Sequence, residues 1–280
     1  MKLVLLGTGV PSPSLRRHGP SQAVIVNREA LLIDCGHGTM FQLMRAGIDP
    51  LNVTHLFFTH HHYDHNIDYA HFVLSTWTMG RDFALRVYGP TGTTMMTAAL
   101  FDRAFSIDIN ARTLRGTQRR RGVQVEAQDI HEGNVTQTST WEVSAVKVDH
   151  LSEDTFSVGY RVDSGGKAIV VSGDTRPCQG LIELASGADI LVHEVFFSPE
   201  LEETGVPAGR RPGSVSPDFG SKVRHTRPEE VGIIAREAGV GKLVLSHLWS
   251  DRGLDRLVRL VKENFDGDIV VGEDLMTIEC

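Results

Sequence analysis

The chain has 280 residues, of which 41% are hydrophobic, and it carries a formal net charge of −7 at pH 7. This length and composition can bury a substantial core, and we expect one domain that spans residues 1–280. The acidic balance argues against extended nucleic acid as a partner, because non-specific nucleic-acid binders present a broad positive field. No apolar run is long enough for a membrane span, and three widely spaced cysteines predict a reducing, cytoplasmic location.

Short apolar runs alternate with helical patterns along the chain, as in an α/β protein. The first run, residues 1–6, is too short for a signal-peptide core and is typical of a strand. The clearest helix covers residues 227–238, where Thr226 and Glu229 have the spacing of a capping box before one apolar face. A second helix is predicted at residues 255–263. The predicted strands are residues 3–6, 23–26, 31–33, 55–58, 84–87, 123–125, 144–148, 156–162, 168–171, 190–192, 243–245 and 269–271.

The segment 60–65 concentrates metal-binding side chains at the end of a predicted strand, and we call it the histidine box. Its sequence, HHHYDH, contains the pattern His-x-His-x-Asp-His. Neutral imidazole and carboxylate are the ligands that borderline divalent metals such as zinc prefer. Alternate residues of an extended segment point the same way, so His60 and His62 can bind one ion while Asp64 and His65 turn towards a second. The spacing therefore indicates a metal site rather than a solvated loop.

Three further predicted strands are followed by a residue of the same kind. His150, Asp174 and His247 each lie just beyond the carboxyl end of such a strand. Functional groups commonly gather there, on loops that a rigid sheet holds in place. Any one of these residues alone would more often be a hydrogen-bonded core residue. Together with the histidine box, they predict a single site.

These motifs resemble those of the metallo-β-lactamase-fold hydrolases, and in particular the ribonuclease Z and arylsulfatase-like branch of that superfamily. The resemblance runs from residue 1 to about residue 250. The segments that carry it are residues 6–13 (LGTGVPSP), 32–36 (LIDCG), 60–65 (HHHYDH), 87–90 (VYGP), 150 (H), 172–175 (SGDT), 193–194 (HE), 225–226 (HT) and 247 (H). It implies an α/β fold, the four-layer αββα sandwich, and a metal-dependent hydrolase of ester bonds.

The resemblance also implies a ligand set for two divalent metal ions, with Zn²⁺ expected and Mn²⁺ or Fe²⁺ as alternatives. The first ion would be held by His60, His62 and His150, the second by Asp64, His65 and His247, and Asp174 would bridge the two. Two ions about 3.5–4 Å apart can hold an activated hydroxide between them at neutral pH. Asp64 would both bind metal and orient this nucleophile.

Other residues are implied to assist the chemistry. His225 resembles a histidine of ribonuclease Z and would stabilise the transition state or donate a proton, and we expect free N–H groups of a helix N-terminus beside it. His193 and Glu194 would orient this acid, although such a pair can also be purely structural. Asp34 would either fix a ligand histidine through a hydrogen bond or cap the turn before Gly36.

An arginine cluster has two interpretations. It comprises Arg112, Arg115, Arg119, Arg120 and Arg121. The cluster would either receive an anionic substrate or an acidic partner, or form a solvated connection. We favour the second interpretation because charge runs usually face water.

One departure from ribonuclease Z bears on the substrate. In long-armed members, a transfer-RNA-gripping arm is inserted between the strand containing Gly159-Tyr160 and the strand before Gly173, whereas here the short segment 163–166 (DSGG) lies between them. This favours a small-molecule anionic ester, either a phosphodiester or a sulfate ester. The alternatives are a lactone or other carbon ester, transfer-RNA 3′ processing, and a non-catalytic scaffold. No membrane partner is expected. The sequence allows either a monomer or a homodimer.

Overall fold

The computed structural model describes residues 1–114, 122–150, 157–211, 213–214 and 224–280. Its strands are β1 (Lys2–Gly7), β2 (Ser21–Val26), β3 (Glu29–Ile33), β4 (Val53–Phe57), β5 (Leu85–Gly89), β6 (Val125–Asp129), β7 (Gly133–Gln137), β8 (Glu142–Val148), β9 (Ser157–Ser164), β10 (Lys167–Val171), β11 (Ile190–Glu194), β12 (Lys242–Ser246), β13 (Asp268–Val271) and β14 (Thr277–Glu279). Its α-helices are α1 (Thr39–Arg45), α2 (Tyr69–Met79), α3 (Thr93–Ala98), α4 (Ser106–Leu114), α5 (Gln179–Leu184), α6 (Pro199–Thr204), α7 (Pro228–Ala238) and α8 (Leu254–Lys262).

The described strands form two mixed sheets of seven strands each. The first sheet has the order β14-β1-β2-β3-β4-β5-β6, and the second has the order β13-β12-β11-β10-β9-β8-β7. Apolar side chains from both sheets form one buried layer between them, for example Ile33 and Phe57 of the first sheet with Tyr160 and Val192 of the second. Burying this shared face holds the two sheets together.

Helices cover the outer faces of both sheets. On the first sheet, Leu43 of α1 and Phe72 of α2 are buried against strand residues. On the second sheet, Leu181 of α5, Ile234 of α7 and Leu257 of α8 pack in the same way. The result is the four-layer αββα sandwich, so the expected fold class is confirmed. Within the part that the structure describes, no helix is both long and apolar enough to cross a membrane.

The observed strands follow the sequence pattern with few exceptions. β6 begins at Val125, so the prediction of 123–125 was too early. β7 was not predicted because its sequence GNVTQ is polar and largely exposed, and β14 was not predicted because it has only three residues. β9 and β10 pair at Ser164 and Lys167, and the two residues between them, Gly165 and Gly166, have φ of 59° and 74°. Two left-handed residues make the tight hairpin turn that the short connecting segment predicted.

The sheet topology places strand ends from both sheets at one edge of the sandwich. β3, β4 and β5 are parallel neighbours in the first sheet, and β10, β11 and β12 are parallel neighbours in the second. Just beyond β4, the Thr59 carbonyl accepts a hydrogen bond from the Val158 N–H of β9 at 2.9 Å, which ties the two sheets together there. Residues that follow these strands can therefore meet at this edge.

The arginine cluster lies mainly outside the described residues. Arg112 is described, and its Nε lies 2.9 Å from Asp108 one turn earlier on α4, with both side chains about half exposed. Residues 115, 119, 120 and 121 are not among those described. The described part of the cluster is thus a solvent-facing ion pair on a helix.

Candidate metal centre

Seven side chains converge beyond the ends of β4, β8, β10 and β12. The first group of donor atoms belongs to His60, His62, His150 and Asp174, and the second belongs to Asp64, His65 and His247. Within each group, the donor atoms lie within 4.8 Å of one another. His62 is exposed and the other six residues are buried, so the centre opens to solvent on the His62 side. These are the seven residues that the resemblance implied as ligands.

Asp174 lies between the two groups. Its Oδ1 is 3.5 Å from Nε2 of His65, and its Oδ2 is 3.6 Å from Nε2 of His150 and 3.5 Å from Nε2 of His247. Ligand atoms around a tetrahedral zinc ion with bonds of about 2.1 Å are separated by about 3.4 Å. The observed separations therefore fit donor atoms that share a metal ion. Each carboxylate oxygen of Asp174 faces a different set of imidazoles.

Several donor atoms of the centre lack a hydrogen-bond partner within the described chain. These atoms are both buried and without a hydrogen bond, and they are the two carboxylate oxygens of Asp64, Nε2 of His65 and Nε2 of His247. Buried polar atoms almost always have a partner, since leaving one unsatisfied costs about 1–3 kcal/mol. Acceptor atoms of this kind, gathered at one point, fit a divalent cation that would satisfy them together. The residues present are thus suited to hold metal.

Burial sets the protonation of the first group. It lowers the pKa of His60 and His150 below the usual range of histidine, because the imidazolium form loses its hydration; partial desolvation among the neighbouring rings also lowers the pKa of His62, although that residue is exposed overall. The neutral imidazole that this favours is the form that binds metal. Burial also opposes the ionisation of Asp174, but nearby His247 and His65 outweigh it and hold the pKa of this carboxyl well below its usual range.

Hydrogen bonds from behind fix the orientation of the ligand rings. Asp34 Oδ2 accepts from Nδ1 of His65 at 2.8 Å, so its position agrees with the proposed role of fixing a ligand histidine. The same carboxylate accepts both the N–H and the hydroxyl of Thr59, each at 2.8 Å, and the Thr59 hydroxyl oxygen lies 3.0 Å from Nδ1 of His60. Sequence reasoning missed Thr59, although a hydroxyl residue directly before the histidine box was a usable signal.

The His150 ring is held by the polypeptide backbone. Its Nδ1 donates to the Arg224 carbonyl at 2.7 Å, which leaves Nε2 to face the centre. This contact could not be read from the sequence, because nothing in the pattern around Arg224 links it to a residue 74 positions earlier. It also brings the segment of His225 to the metal centre.

His225 lies beside the cluster and is paired with Glu194. Its Nδ1 is 3.2 Å from Oε1 of Glu194 and 4.0 Å from Oδ2 of Asp174. Burial alone would lower the pKa of His225, but these two carboxylates outweigh it and raise the pKa to about 9. Because Glu194 also accepts the backbone N–H groups of Thr175 and Thr226, at 3.2 and 2.9 Å, its position is fixed. The arrangement places a protonated imidazole against the centre.

Two other histidines do not join the site. His193 is fully buried on the face of β11 opposite to Glu194, and its Nδ1 donates to the backbone carbonyl of Glu194 at 2.6 Å. Successive residues of a strand point to opposite faces, so the interpretation of His193 and Glu194 as a joint orienting pair needs correction: only Glu194 reaches His225. His61 also points away, with Nε2 3.2 Å from the Pro90 carbonyl and 3.0 Å from the Thr93 hydroxyl.

The helix after His225 begins later than the capping pattern indicated. α7 starts at Pro228, a residue favoured at the first helical position, and the Arg227 N–H donates to Glu230 at 2.9 Å. The Thr226 hydroxyl donates instead to the Thr175 carbonyl at 2.7 Å. The predicted pair of Thr226 with Glu229 was therefore wrong by one residue. The N–H groups of Thr226 and Arg227, directly after His225, are bonded to the carboxylates of Glu194 and Glu230.

Aromatic rings pack around His225. The ring centroid of Trp249 lies 5.7 Å from that of His225 and 6.2 Å from that of His247. Phe196 stacks on His225 at 6.2 Å. Sequence reasoning missed both aromatic residues, because the sequence does not distinguish an aromatic residue that packs on a site histidine from one that packs in the core. They restrict the position of His225.

Comparison with known proteins agrees with this geometry. Residues 29–248 match the sequence model of the family described as "Beta-lactamase superfamily domain". The chain is 31% identical to "Ribonuclease Z" of Mycolicibacterium gilvum, with 100% of this chain and 96% of the relative covered. It is 28% identical to "Ribonuclease Z" of Methanosarcina acetivorans, with 100% of this chain and 98% of the relative covered.

Solved structures show the same fold. The metallo-β-lactamase fold protein YhfI from Bacillus subtilis superposes with a TM-score of 0.74 at 18% identity, covering 100% of this chain and 99% of that one. The short form of human tRNase Z superposes with a TM-score of 0.70 at 21% identity, with 100% and 99% covered. The chain therefore belongs to the β-lactamase superfamily and has the metallo-β-lactamase fold. Within that superfamily it is ribonuclease Z-like, and it is a metal-dependent hydrolase that acts on ester bonds.

Proposed function

We propose that the chain is a dinuclear metal-dependent phosphodiesterase that hydrolyses small phosphodiesters or comparable anionic esters. The observation that carries this proposal is the position of Asp174, whose two oxygens each lie 3.5 Å from an imidazole nitrogen of the second group while Oδ2 also lies 3.6 Å from His150 of the first. A carboxylate shared by two donor groups is suited to bridge two ions. Zn²⁺ is the expected metal, because the neighbouring donors are imidazole and carboxylate, with Mn²⁺ or Fe²⁺ as alternatives.

Each residue of the site then has a defined part. When bound, a pair of divalent ions supplies an activated water at neutral pH and polarises the ester. Asp64 contributes its carboxylate to the second group and orients the nucleophile. His225 donates a proton to the departing oxygen or stabilises the negative charge of the transition state. Glu194 holds the His225 ring through the ion pair of Oε1 with Nδ1, which leaves the other ring nitrogen for the substrate.

An anionic ester fits the charge of this arrangement. His225 is held by Glu194 beside the donor groups, with Nδ1 4.0 Å from Asp174, and an imidazole in this place can pair with a negative charge. A phosphodiester as the scissile group is supported by relatives that are named ribonuclease Z. The N–H groups of Thr226 and Arg227, just before the helix, do not contribute to this argument, since they are bonded to Glu194 and Glu230. A lactone or another carbon ester is the alternative at the same site.

The size of the substrate is the point on which two candidates differ. The two-residue turn between β9 and β10 and the net charge of −7 support a small diester. The name of the relatives and the similarity to the short form of human tRNase Z favour the second candidate, which is endonucleolytic cleavage of a transfer-RNA precursor at its 3′ side. Both reactions would use the same donor groups and the same His225.

A substrate panel tests the proposal. We would assay bis(p-nitrophenyl) phosphate, p-nitrophenyl sulfate, a simple lactone and a transfer-RNA precursor with a 3′ extension, using the wild-type chain, Asp174→Ala and the control His61→Ala. We expect hydrolysis of the phosphodiester that is lost in Asp174→Ala and retained in His61→Ala. Rapid lactone opening without diester hydrolysis would replace the proposal with the carbon-ester alternative. Efficient precursor cleavage with slow diester hydrolysis would favour the second candidate.

A further inference from the structure

His247 has a backbone conformation that residues other than glycine rarely adopt. Its φ is +53°, in the left-handed region, directly after the last residue of β12. In that region Cβ crowds the backbone, so a non-glycine residue stays there only when its surroundings hold it. Nε2 of His247 lies 3.5 Å from Asp174 and 3.6 Å from Asp64. Relaxation of this backbone would therefore move a donor atom of the second group.

The peptide that follows His247 is anchored in the other sheet. The Leu248 N–H donates to the carbonyl of Thr8 at 2.8 Å, and Thr8 lies just beyond β1. This hydrogen bond fixes the chain on the carboxyl side of His247. The position of the Thr8 carbonyl thus determines whether His247 can keep its left-handed conformation.

A buried carboxylate, Asp274, holds Thr8 in place. Oδ1 of Asp274 accepts the Thr8 N–H at 3.0 Å and the Thr8 hydroxyl at 2.8 Å. Oδ2 accepts the backbone N–H of His18 at 2.7 Å, which secures the other end of the loop between β1 and β2. The Asp274 side chain is only 9% exposed. Charge-assisted hydrogen bonds of this kind are shorter and stronger than neutral ones, so this carboxylate is a firm support for Thr8.

Arg17 joins the same support to the loop that carries His247. Its Nη1 donates to the Thr8 hydroxyl oxygen and to the Gly272 carbonyl, both at 2.7 Å. Its Nε donates to Asp251 at 2.7 Å, four residues beyond His247. Arg17 therefore joins Thr8 to two other segments. One contains Gly272 and leads to Asp274, and the other contains Asp251 and follows His247.

We infer that Asp274 is a positioning residue for the metal centre, acting through Thr8 and Leu248 to hold His247 in its left-handed conformation. The inference rests on the proposed function, in which His247 binds metal as a member of the second donor group. It assigns to Asp274 an effect on the second donor group, which contains His247, and none on the group of His60, His62 and His150. The distance in sequence between Asp274 and Thr8, 266 residues, makes this a link between the two ends of the chain.

Zinc titration of the metal-free protein tests the inference, because it reads binding rather than activity. The variants are Asp274→Ala, Asp274→Asn and the control Asp268→Asn, which removes a partly exposed ion pair with Lys242 at the opposite end of β12. We expect two binding events in the wild type. In Asp274→Ala, one event should weaken about 10-fold while the other stays unchanged, as for residues that orient a ligand histidine. Asp274→Asn keeps one acceptor oxygen, so its zinc affinity for that event should lie between those of the wild type and Asp274→Ala. Asp268→Asn should have the same zinc affinities as the wild type.

Kinetics at saturating zinc add a second readout. A displaced His247 should lower kcat with little change in KM, because the defect lies at the reacting centre and not in substrate binding. If Asp274→Ala does not fold, Thr8→Val removes only the hydroxyl hydrogen bonds to Asp274 and Arg17, and the same single event should weaken by a smaller factor. Equal weakening of both events, or no weakening of either, would overturn the inference.

The outcome separates this inference from the proposed function. A wild type with one binding event would contradict the two-ion site. If Asp274→Ala still weakened that single event, the positioning role would stand without it. Two events that Asp274→Ala leaves untouched would contradict only the role of Asp274.

Discussion

Buried histidines lie both within β4 and beyond its carboxyl end, but their surroundings differ. Beyond its carboxyl end, His60 and His65 face other imidazoles and the carboxylate of Asp174, at donor separations of 3.5 to 3.8 Å. At the middle of the strand, His55 is 4% exposed and packs edge-on against Trp141, with ring centroids 4.8 Å apart. Both environments are equally dry, and only the first gathers several donor atoms at one point.

The comparison shows that burial of a histidine is not sufficient evidence for a ligand. A neutral imidazole such as His55 can be stable in an aromatic core, because one of its nitrogens bonds to the Thr54 hydroxyl at 2.8 Å. Its other nitrogen, Nε2, is unpartnered within the described chain but isolated, whereas the unpartnered carboxylate oxygens of Asp64 and Nε2 atoms of His65 and His247 lie together. Convergence of unsatisfied acceptors, rather than burial, is what distinguishes the metal centre.

The largest expected effect comes from removing the shared carboxylate. Asp174→Ala should abolish hydrolysis and reduce bound metal, because both donor groups lose the carboxylate that joins them. His61→Ala is the matched control from the same segment and should keep most activity, since its ring bonds to Pro90 and Thr93. Metal content and hydrolysis rates would be measured on both variants. Metal loss in His61→Ala together with metal retention in His60→Ala would show that the assignment of the histidine box is wrong.

Removal of the His225 side chain should have the next largest effect. We expect His225→Ala to lower turnover by about 10²–10⁴-fold, the usual range for a positioned acid or oxyanion donor, with metal content unchanged. The loss should be greater for a diester with a poor leaving group than for a nitrophenyl ester, which needs little protonation as it departs. Equal losses on both substrates would mean that His225 only binds the anion.

Asp34→Asn should produce a smaller and more specific defect. It weakens the hydrogen bond to Nδ1 of His65, and such changes typically reduce metal affinity by about 10–100-fold. Activity should therefore fall in limiting zinc and recover when zinc is added in excess. Competition with a chromophoric chelator measures the affinity. An unchanged affinity would show that Asp34 serves only the turn.

His55→Gln should leave hydrolysis and metal content unchanged and alter only the pH dependence of stability. Burial, with a smaller effect from Arg86, lowers the pKa of His55 to about 4, below the 6.5 of an ordinary histidine. The folded protein then binds fewer protons between these values. Stability from neutral His55 is therefore complete above about pH 6.5 and is lost as the pH falls towards 4.

Denaturant titrations at pH 7 and pH 5 would measure this difference. Because Gln does not titrate, the wild type should lose about 2 kcal/mol more unfolding free energy than His55→Gln between the two pH values, as an upper bound. Parallel losses in the two proteins would show that His55 titrates normally. A loss of hydrolysis by His55→Gln at pH 7 would remove the distinction between the histidine within β4 and those beyond its end.

Sequence patterns predicted the donor set because each donor follows an apolar run that becomes a strand, and parallel strands end at one edge. The same patterns failed where the outcome depends on the direction of a side chain or on the first residue of a helix. His193 and Glu194 are adjacent, yet strand alternation separates them, and the helix start moved because Pro228 occupies the first helical position. No local pattern could identify Asp274, since its contact with Thr8 exists only when the two ends of the chain meet.

The central claim is that Asp174 joins two donor groups into a two-ion site. Elemental analysis of untagged protein, reconstituted with zinc and then dialysed, tests it most directly. We predict two metal ions per chain in the wild type and a lower content in Asp174→Ala. A maximum of one ion per wild-type chain, even after reconstitution, would contradict the claim.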